Sequence, residues 1–501
     1  MAEPEERAPV QVSGVARNTL YTLLTQLASG GFTALLTIFL VRELGPRDFG
    51  LFSLAASIGA LVMLPSDFGI SGSTSRYIAE RFGNWPAVAE LMANGLRLKL
   101  LVSGTVSAAL AVLAGPIAGA YGEPALTWPI RWMAIAVMGQ SLLAFYRYAF
   151  LAMRDAAVGF RLVLGESAVE AGATIVLVLA AGGAAAASAG RAGGYAFGTA
   201  LALAATWRRL GRPAFARSQR LRETRRVLGR YAGALFTIDV AFASSVNAAP
   251  LMIGAFLSSR EVGLFSAPSR LIVLLQYPGI ALANSLSPRM ARSEGHEPDV
   301  PLFTTAVRYL ILVQALLVVP IVVWAGPIVD LVLGSGYARS ADLLQQLAPY
   351  IFVSGLSGPL SGALNYLGEA RRRVPISIAD VVLTLGLTAA GLATIGLSGA
   401  AYAADFVSVG YVAVHIWLLR SLVRLPLRPL ALATLRGLAA GAAMAGVLLL
   451  FGTDDLTPVD WIAGGLGGLA AYIAVIVATG EVTLAEARGL LRRVRGSAAG
   501  G

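Results

Sequence analysis

The sequence predicts an all-α polytopic membrane protein of about 14 transmembrane helices, arranged as two pseudo-symmetric six-helix bundles followed by two further helices. Three observations predict it. The 501 residues are 56% hydrophobic and only 13% charged, with a mean hydropathy of +0.71, whereas soluble domains are roughly one quarter charged. The apolar residues gather in stretches of about 20, the length that crosses a bilayer core. The two halves also repeat each other: Arg47-Asp48-Phe49-Gly50-Leu51-Phe52-Ser53 recurs as Arg260-Glu261-Val262-Gly263-Leu264-Phe265-Ser266. The same shift superimposes Arg17 on Arg230, Pro65 on Pro278 and Arg76 on Arg289. Duplicated helical bundles are a recurrent plan of secondary transporters, with the substrate held between the halves.

Residues 1–17 hold Glu3, Glu5 and Glu6 and lack the basic start of a secretory signal, so they are expected to form a cytoplasmic N-terminal segment with the first apolar helix retained. Crossings are placed near 18–41, 49–70, 98–120, 127–151, 162–183 and 186–207, which make a first bundle over 18–207. Its weakest boundary is the Gly/Ala-rich tract Ala180 to Gly198, where Gly-Gly is the only turn signal. Ala87 to Leu98, after the Asn84-Trp85-Pro86 turn, reads as a short cytoplasmic helix. A basic linker, 208–230, with nine arginines, leads to a second bundle, 231–419, whose crossings lie near 231–257, 262–286, 306–333, 342–367, 374–395 and 397–419. Two more, near 429–452 and 459–480, occupy the segment 420–480. In the tail, 481–501, Thr483 and Glu486 have capping-box spacing, and Leu484, Leu491 and Val494 share a face, as in an amphipathic surface helix.

The formal net charge is +11 and arginine supplies nearly all of the positive charge, Lys99 being the only lysine. The basic residues fall in loops on one side of the expected helices, among them Arg76, Arg81, Arg97, Lys99 and the Arg371-Arg372-Arg373 run. The opposite side has only scattered arginines, including Arg42, Arg47 and Arg191. The positive-inside rule then puts both termini in the cytoplasm of a cell whose inner membrane carries the protein. The charge therefore reads as topology, not as a nucleic-acid partner, and the linker arginines suit anionic lipids. With no cysteine, disulfides and thiolate metal sites are excluded, and with two histidines and no glycine-rich phosphate loop, a zinc enzyme, ATP hydrolysis and a cofactor are not expected.

Ionisable groups inside a span normally face a protein interior or a wet cavity. Here they are Asp67, Arg131, Arg147, Glu166, Glu170, Asp239, Arg270, Asp380, Asp405 and His415, with Gln140 a polar companion. Glu166 and Glu170 share one helix face, and Asp380 lies one residue from the repeat equivalent of Glu166, so these three are candidates for ion coupling, together with Asp239. The alternative for the glutamates is a hydrated pair near the boundary, held by Arg161. Arg270 is followed by a run of apolar residues and needs an anion: either a substrate or Asp239. Arg131 and Arg147, near opposite ends of one span, are further substrate-binding candidates with Gln140, against snorkelling to the headgroups. Asp405 stays ambiguous, and His415 reads as interfacial. Pro65 and Pro278 predict matching bends, which suit a cavity opening alternately to each side.

The stretch Phe39 to Glu80 resembles the N-terminal region of the polysaccharide and oligosaccharide (Wzx-like) flippases, relatives of the MATE exporters and lipid II flippases within the MOP superfamily. The elements that carry the resemblance are Leu44 to Pro46, Phe49 to Ser53, Asp67-Phe68-Gly69 and Arg76 to Glu80. The resemblance implies two bundles around a central cavity and a polyprenyl-diphosphate-linked oligosaccharide moved across the cytoplasmic membrane by alternating access, often with ion coupling. Polysaccharide polymerases and glycosyltransferases follow as further partners. Three alternatives stand beside it: a MATE-like multidrug or cation antiporter, a polytopic glycosyltransferase or polymerase, and a non-transporting assembly scaffold. The short outer connections speak against the enzyme.

Overall fold

The computed structural model describes residues 12–211, 233–291 and 297–481. The N-terminal acids, most of the basic linker and the tail with its capping-box spacing lie outside the described residues. Within them the chain is helical, with no strand. Nine of the described helices are long and apolar enough to cross a membrane, or ten if the pair Arg339–Gln346 and Ala348–Tyr366, bent by 53°, is one span. The chain divides into two compact units, Met1–Ala255 and Phe256–Gly501.

The first unit opens with α1 (Val12–Asp67), which Gly45 divides at φ 68° into two lengths. A left-handed glycine followed by Pro46 turns the chain without a strained side chain, so α1 holds the first two expected crossings. Then come α2 (Ile70–Glu80), α3 (Trp85–Ala120), α4 (Thr127–Ala152), α5 (Ala156–Ala181), α6 (Gly183–Leu210) and α7 (Gly233–Phe256). Sequence and structure differ at α3. The Asn84 side chain accepts from the Ala87 amide and Pro86 sits in the first turn, so one helix starts at Trp85 and runs through. The expected cytoplasmic helix is therefore the first three turns of a 36-residue helix, and Lys99 lies four turns inside it, not in a loop.

The second unit contains α8 (Ser259–Leu275), α9 (Tyr277–Leu286), α10 (Val300–Val323), α11 (Ala325–Val332), α12 (Arg339–Gln346), α13 (Ala348–Tyr366), α14 (Ala370–Ile395) and α15 (Leu397–Leu422). The two additional helices, α16 (Leu427–Leu450) and α17 (Pro458–Ala478), pack on this unit. Thr457 and Asp460 form a capping box at the start of α17. Tyr472 donates to the Leu312 carbonyl at 2.7 Å, and the Trp324 indole donates to the Gly452 carbonyl at 3.1 Å. Just beyond α17, the buried Glu481 carboxylate is held by Arg308 of α10 at 2.8 Å and by Arg436 of α16. One anion thus ties three helices.

Small residues set the closest approaches, as packing between apolar helices in lipid requires. On α14 and α15, Gly391 and Gly399 meet backbone to backbone, and a Cβ at Gly391 would lie 2.6 Å from the Gly399 carbonyl oxygen. Glu481→Ala is expected to leave the two arginines without their shared acceptor and to cost about 2 kcal/mol. The effect is read as faster hydrogen exchange in α16 and α17 than in α14 and α15.

Candidate functional site

The first unit holds a polar cluster between α5 and α6. Glu166 and Glu170 project from one face of α5, one turn apart, and Glu166 is 6% exposed. Opposite them α6 presents glycine every fourth residue. Gly190 abuts Thr174, Gly194 abuts Glu170 and Gly198 abuts Glu166, and a Cβ on Gly194 or Gly198 would lie 2.5 or 2.8 Å from the Cβ of the facing glutamate. This ridge brings the α6 backbone against the acids. The boundary expected within Ala180 to Gly198 falls at its Gly-Gly pair, Gly182 and Gly183, both at positive φ, and the rest of the tract is helix whose glycines serve packing.

The placing of Arg191 is corrected. Arg191 lies two turns inside α6, not in an outer loop, with its Nε 3.8 Å from Glu170 and its guanidinium over the Tyr195 ring at 5.7 Å. The Glu166 carboxylate accepts from the Ser167 hydroxyl at 3.1 Å. Behind the cluster α4 closes in: Gly139 packs on Tyr195, and Thr199 donates to the Gly139 carbonyl at 2.9 Å. Two carboxyls and one guanidinium in a span leave one negative charge to be matched, by a proton or by a cation. In place of a hydrated pair held by Arg161, Glu166 is buried and Glu170, half-buried, pairs with Arg191.

A second cluster sits where the second crossing is interrupted. Asp67 ends α1, and its Oδ1 accepts from Ser71 of α2 and from the Lys99 ammonium, which is 0% exposed. The lysine's rarity was the available signal: it is the one lysine in an arginine-rich chain.

The other candidates are dispersed. Gln140 is half-buried on α4 beside Gly139. Arg131 and Arg147 are exposed at opposite ends of α4, about 24 Å apart along the helix, with Arg131 stacked over Trp128 at 4.9 Å. Arg270 is exposed on α8, and Asp380 is half-buried on α14. Asp239 lies on α7 with its side chain outside the described residues, so the expected pairing with Arg270 lies outside them too.

In the second unit, His415 is fully buried, not interfacial. Its Nδ1 lies 2.8 Å from the Tyr411 carbonyl, and its Nε2 accepts from Arg373, whose other nitrogens reach Asn365 at 2.7 Å and the Tyr411 hydroxyl at 3.2 Å. The last arginine of the 371–373 run is thus an internal residue, buried because α14 starts at Ala370 and turns it toward α15. Asp405 resolves as a cap: its Oδ1 accepts from the Tyr350 amide, at the start of α13, at 2.9 Å. No group of three or more metal-ligating side chains occurs among the described residues.

Residues 15–294 match the model of a family described as polysaccharide biosynthesis protein. The chain belongs to this family. A curated relative, the probable low-salt glycan biosynthesis flippase Agl15 of Haloferax volcanii, is 22% identical over 497 residues, covering 96% of this chain and 99% of the relative. Among solved structures, the lipid II flippase MurJ in an inward closed conformation superposes with a TM-score of 0.73 at 11% identity, over 92% of this chain and 98% of that one. An inward-facing multidrug resistance MATE transporter of the MOP superfamily superposes with a TM-score of 0.62 at 15% identity, over 80% of this chain and 94% of that one. The fold is the one that these flippase and MATE transporter structures share.

Replacing Gly194 by leucine is expected to wedge α5 from α6 at Glu170 and to destabilise the first unit by about 1–3 kcal/mol. Thermal unfolding in detergent measures it, with Gly193→Leu as the control, since Gly193 meets only a methyl group at 4.0 Å.

Proposed function

We propose that this protein moves a polyprenyl-diphosphate-linked oligosaccharide across the cytoplasmic membrane by alternating access, for the synthesis of a cell-surface glycan. The observation that carries the proposal is the match, nearly end to end, with a glycan biosynthesis flippase, joined to the family of the first half. The chemistry of such a substrate agrees with the residues. Its diphosphate needs cations along the path, for which Arg270 is the first candidate and Arg131, Arg147 and Gln140 the next. Its isoprenoid tail needs a sideways opening into lipid. Asp239, Glu166, Glu170 and Asp380 are the candidates for ion coupling, and the Glu166–Glu170–Arg191 cluster, in which Glu166 is buried, is the best-formed of these.

Both termini are proposed to be cytoplasmic, with the six-helix bundles at 18–207 and 231–419 as the two moving halves. Polymerases and glycosyltransferases that act on the same glycan are the proposed partners. A second reading, a cation antiporter of the MATE type, is favoured by one observation, the excess acid buried between α5 and α6.

Flipping of a fluorescent lipid-linked oligosaccharide in proteoliposomes tests the main reading. Arg270→Ala is expected to slow it at least about tenfold, a loss near 1.4 kcal/mol, and an unchanged rate removes Arg270 from the path. Glu166→Gln combined with Asp380→Asn is expected to flatten the dependence of flipping on the proton gradient. Efflux of a cationic dye with no movement of the oligosaccharide would decide for the antiporter.

A further inference from the structure

The second crossing of each half is interrupted, and in both a buried polar side chain from the next long helix of the same unit holds the interruption. In the first half, α1 ends at Asp67 and α2 starts at Ile70, with Phe68 at φ 43° and Gly69 at φ 72° between them. In the second, α8 ends at Leu275 and α9 starts at Tyr277, with Pro278 in its first turn. There Gln314 of α10, which is 0% exposed, donates to the Leu275 carbonyl at 3.1 Å and satisfies an acceptor freed by the interruption.

The first half makes the same tie with charge. The Lys99 ammonium, buried on α3, and the Ser71 hydroxyl in the first turn of α2 both donate to one carboxylate oxygen of Asp67, the last residue of α1. One oxygen atom therefore joins the two sides of the break to the third helix. It does so where the backbone is strained: Phe68, 56% exposed, takes a left-handed φ that a residue with a Cβ adopts at a cost of about 1–3 kcal/mol. Beyond the break, α2 buries Ile70, Ser71, Thr74 and Ile78, and Thr74 touches α3 at Gly95.

We propose that the Lys99–Asp67 ion pair is the latch of the broken second crossing of the first half, and that Lys99 is a positioning residue that sets the direction in which α2 leaves α1. The tie in the second half is a neutral amide, which a change in protonation or ion binding does not release. The two halves of the repeat are thus unequal at their breaks, and the first is the one that charge can open. The latch acts whatever substrate the protein carries.

The chain contains no cysteine, so spin labels can be placed singly. Gly72 on α2 and Gly119 at the far end of α3 are exposed, and a Cβ added at either would meet no atom within 4 Å. Double electron–electron resonance between labels at Gly72→Cys and Gly119→Cys, in the full chain in proteoliposomes, reads the direction of α2. The parent is expected to give one narrow distance. Asp67→Asn with Lys99→Met, which leaves no buried charge unpaired, is expected to shift or split it. The exchanged pair Asp67→Lys with Lys99→Asp is expected to restore it. A neutral pair with the parent's distance, or an exchanged pair as broad as the neutral one, overturns the proposal. Accumulation in the membrane gives a second reading: Lys99→Met alone is expected to be lost where the exchanged pair is kept, and equal loss of both counts against a charge-dependent latch.

Discussion

A charge inside a membrane helix must be answered by another group of the same protein, because hydrocarbon offers it nothing. The architecture depends on how this chain meets that requirement. Glu170 is answered by Arg191, Asp67 by Lys99, and Glu481 by Arg308 and Arg436. Arg373 is answered by neutral acceptors, Asn365, Tyr411 and His415. Each of these contacts joins different helices or the two sides of an interruption, so the polar groups specify which apolar faces meet. Dispersion and small-residue packing then bring the helices together but do not by themselves choose partners.

Glycine makes the charged contacts possible. The run Gly190, Gly194, Gly198 lets α6 lie against the Cβ atoms of Thr174, Glu170 and Glu166, which places Arg191 within reach of an acid on the neighbouring helix. A larger residue at Gly194 would separate the helices and lengthen an ion pair that already spans 3.8 Å. The same economy appears at Gly391 and Gly399 in the second unit, where no charge is involved and the close approach serves packing alone. The first unit therefore combines tight packing with buried charge.

The two halves of the repeat differ at their breaks. Pro65 and Pro278 occupy matching positions, yet Pro65 falls in the last turn before its break and Pro278 in the first turn after its own. The breaks are held by lysine in one half and glutamine in the other.

The repeat, the apolar stretches and the Leu44 to Ser53 and Asp67 to Glu80 motifs were enough to read the helical class, the membrane setting and the family, because these follow from hydropathy and chain-local pattern. The pairing of Glu166 with Glu170 was legible for the same reason, being one turn of a helix. The boundary within Ala180 to Gly198 was legible from Gly-Gly and lies there, but what α6 does with its later glycines was not, because the sequence pattern does not show which helix fills the space they leave. Lys99, Arg191, Arg373 and His415 were likewise assigned to loops or interfaces, since a basic residue near the end of an apolar run signals topology when only the run is known. Whether such a residue faces water or an acid on another helix depends on contacts between segments far apart in the chain, and those only the tertiary structure decides.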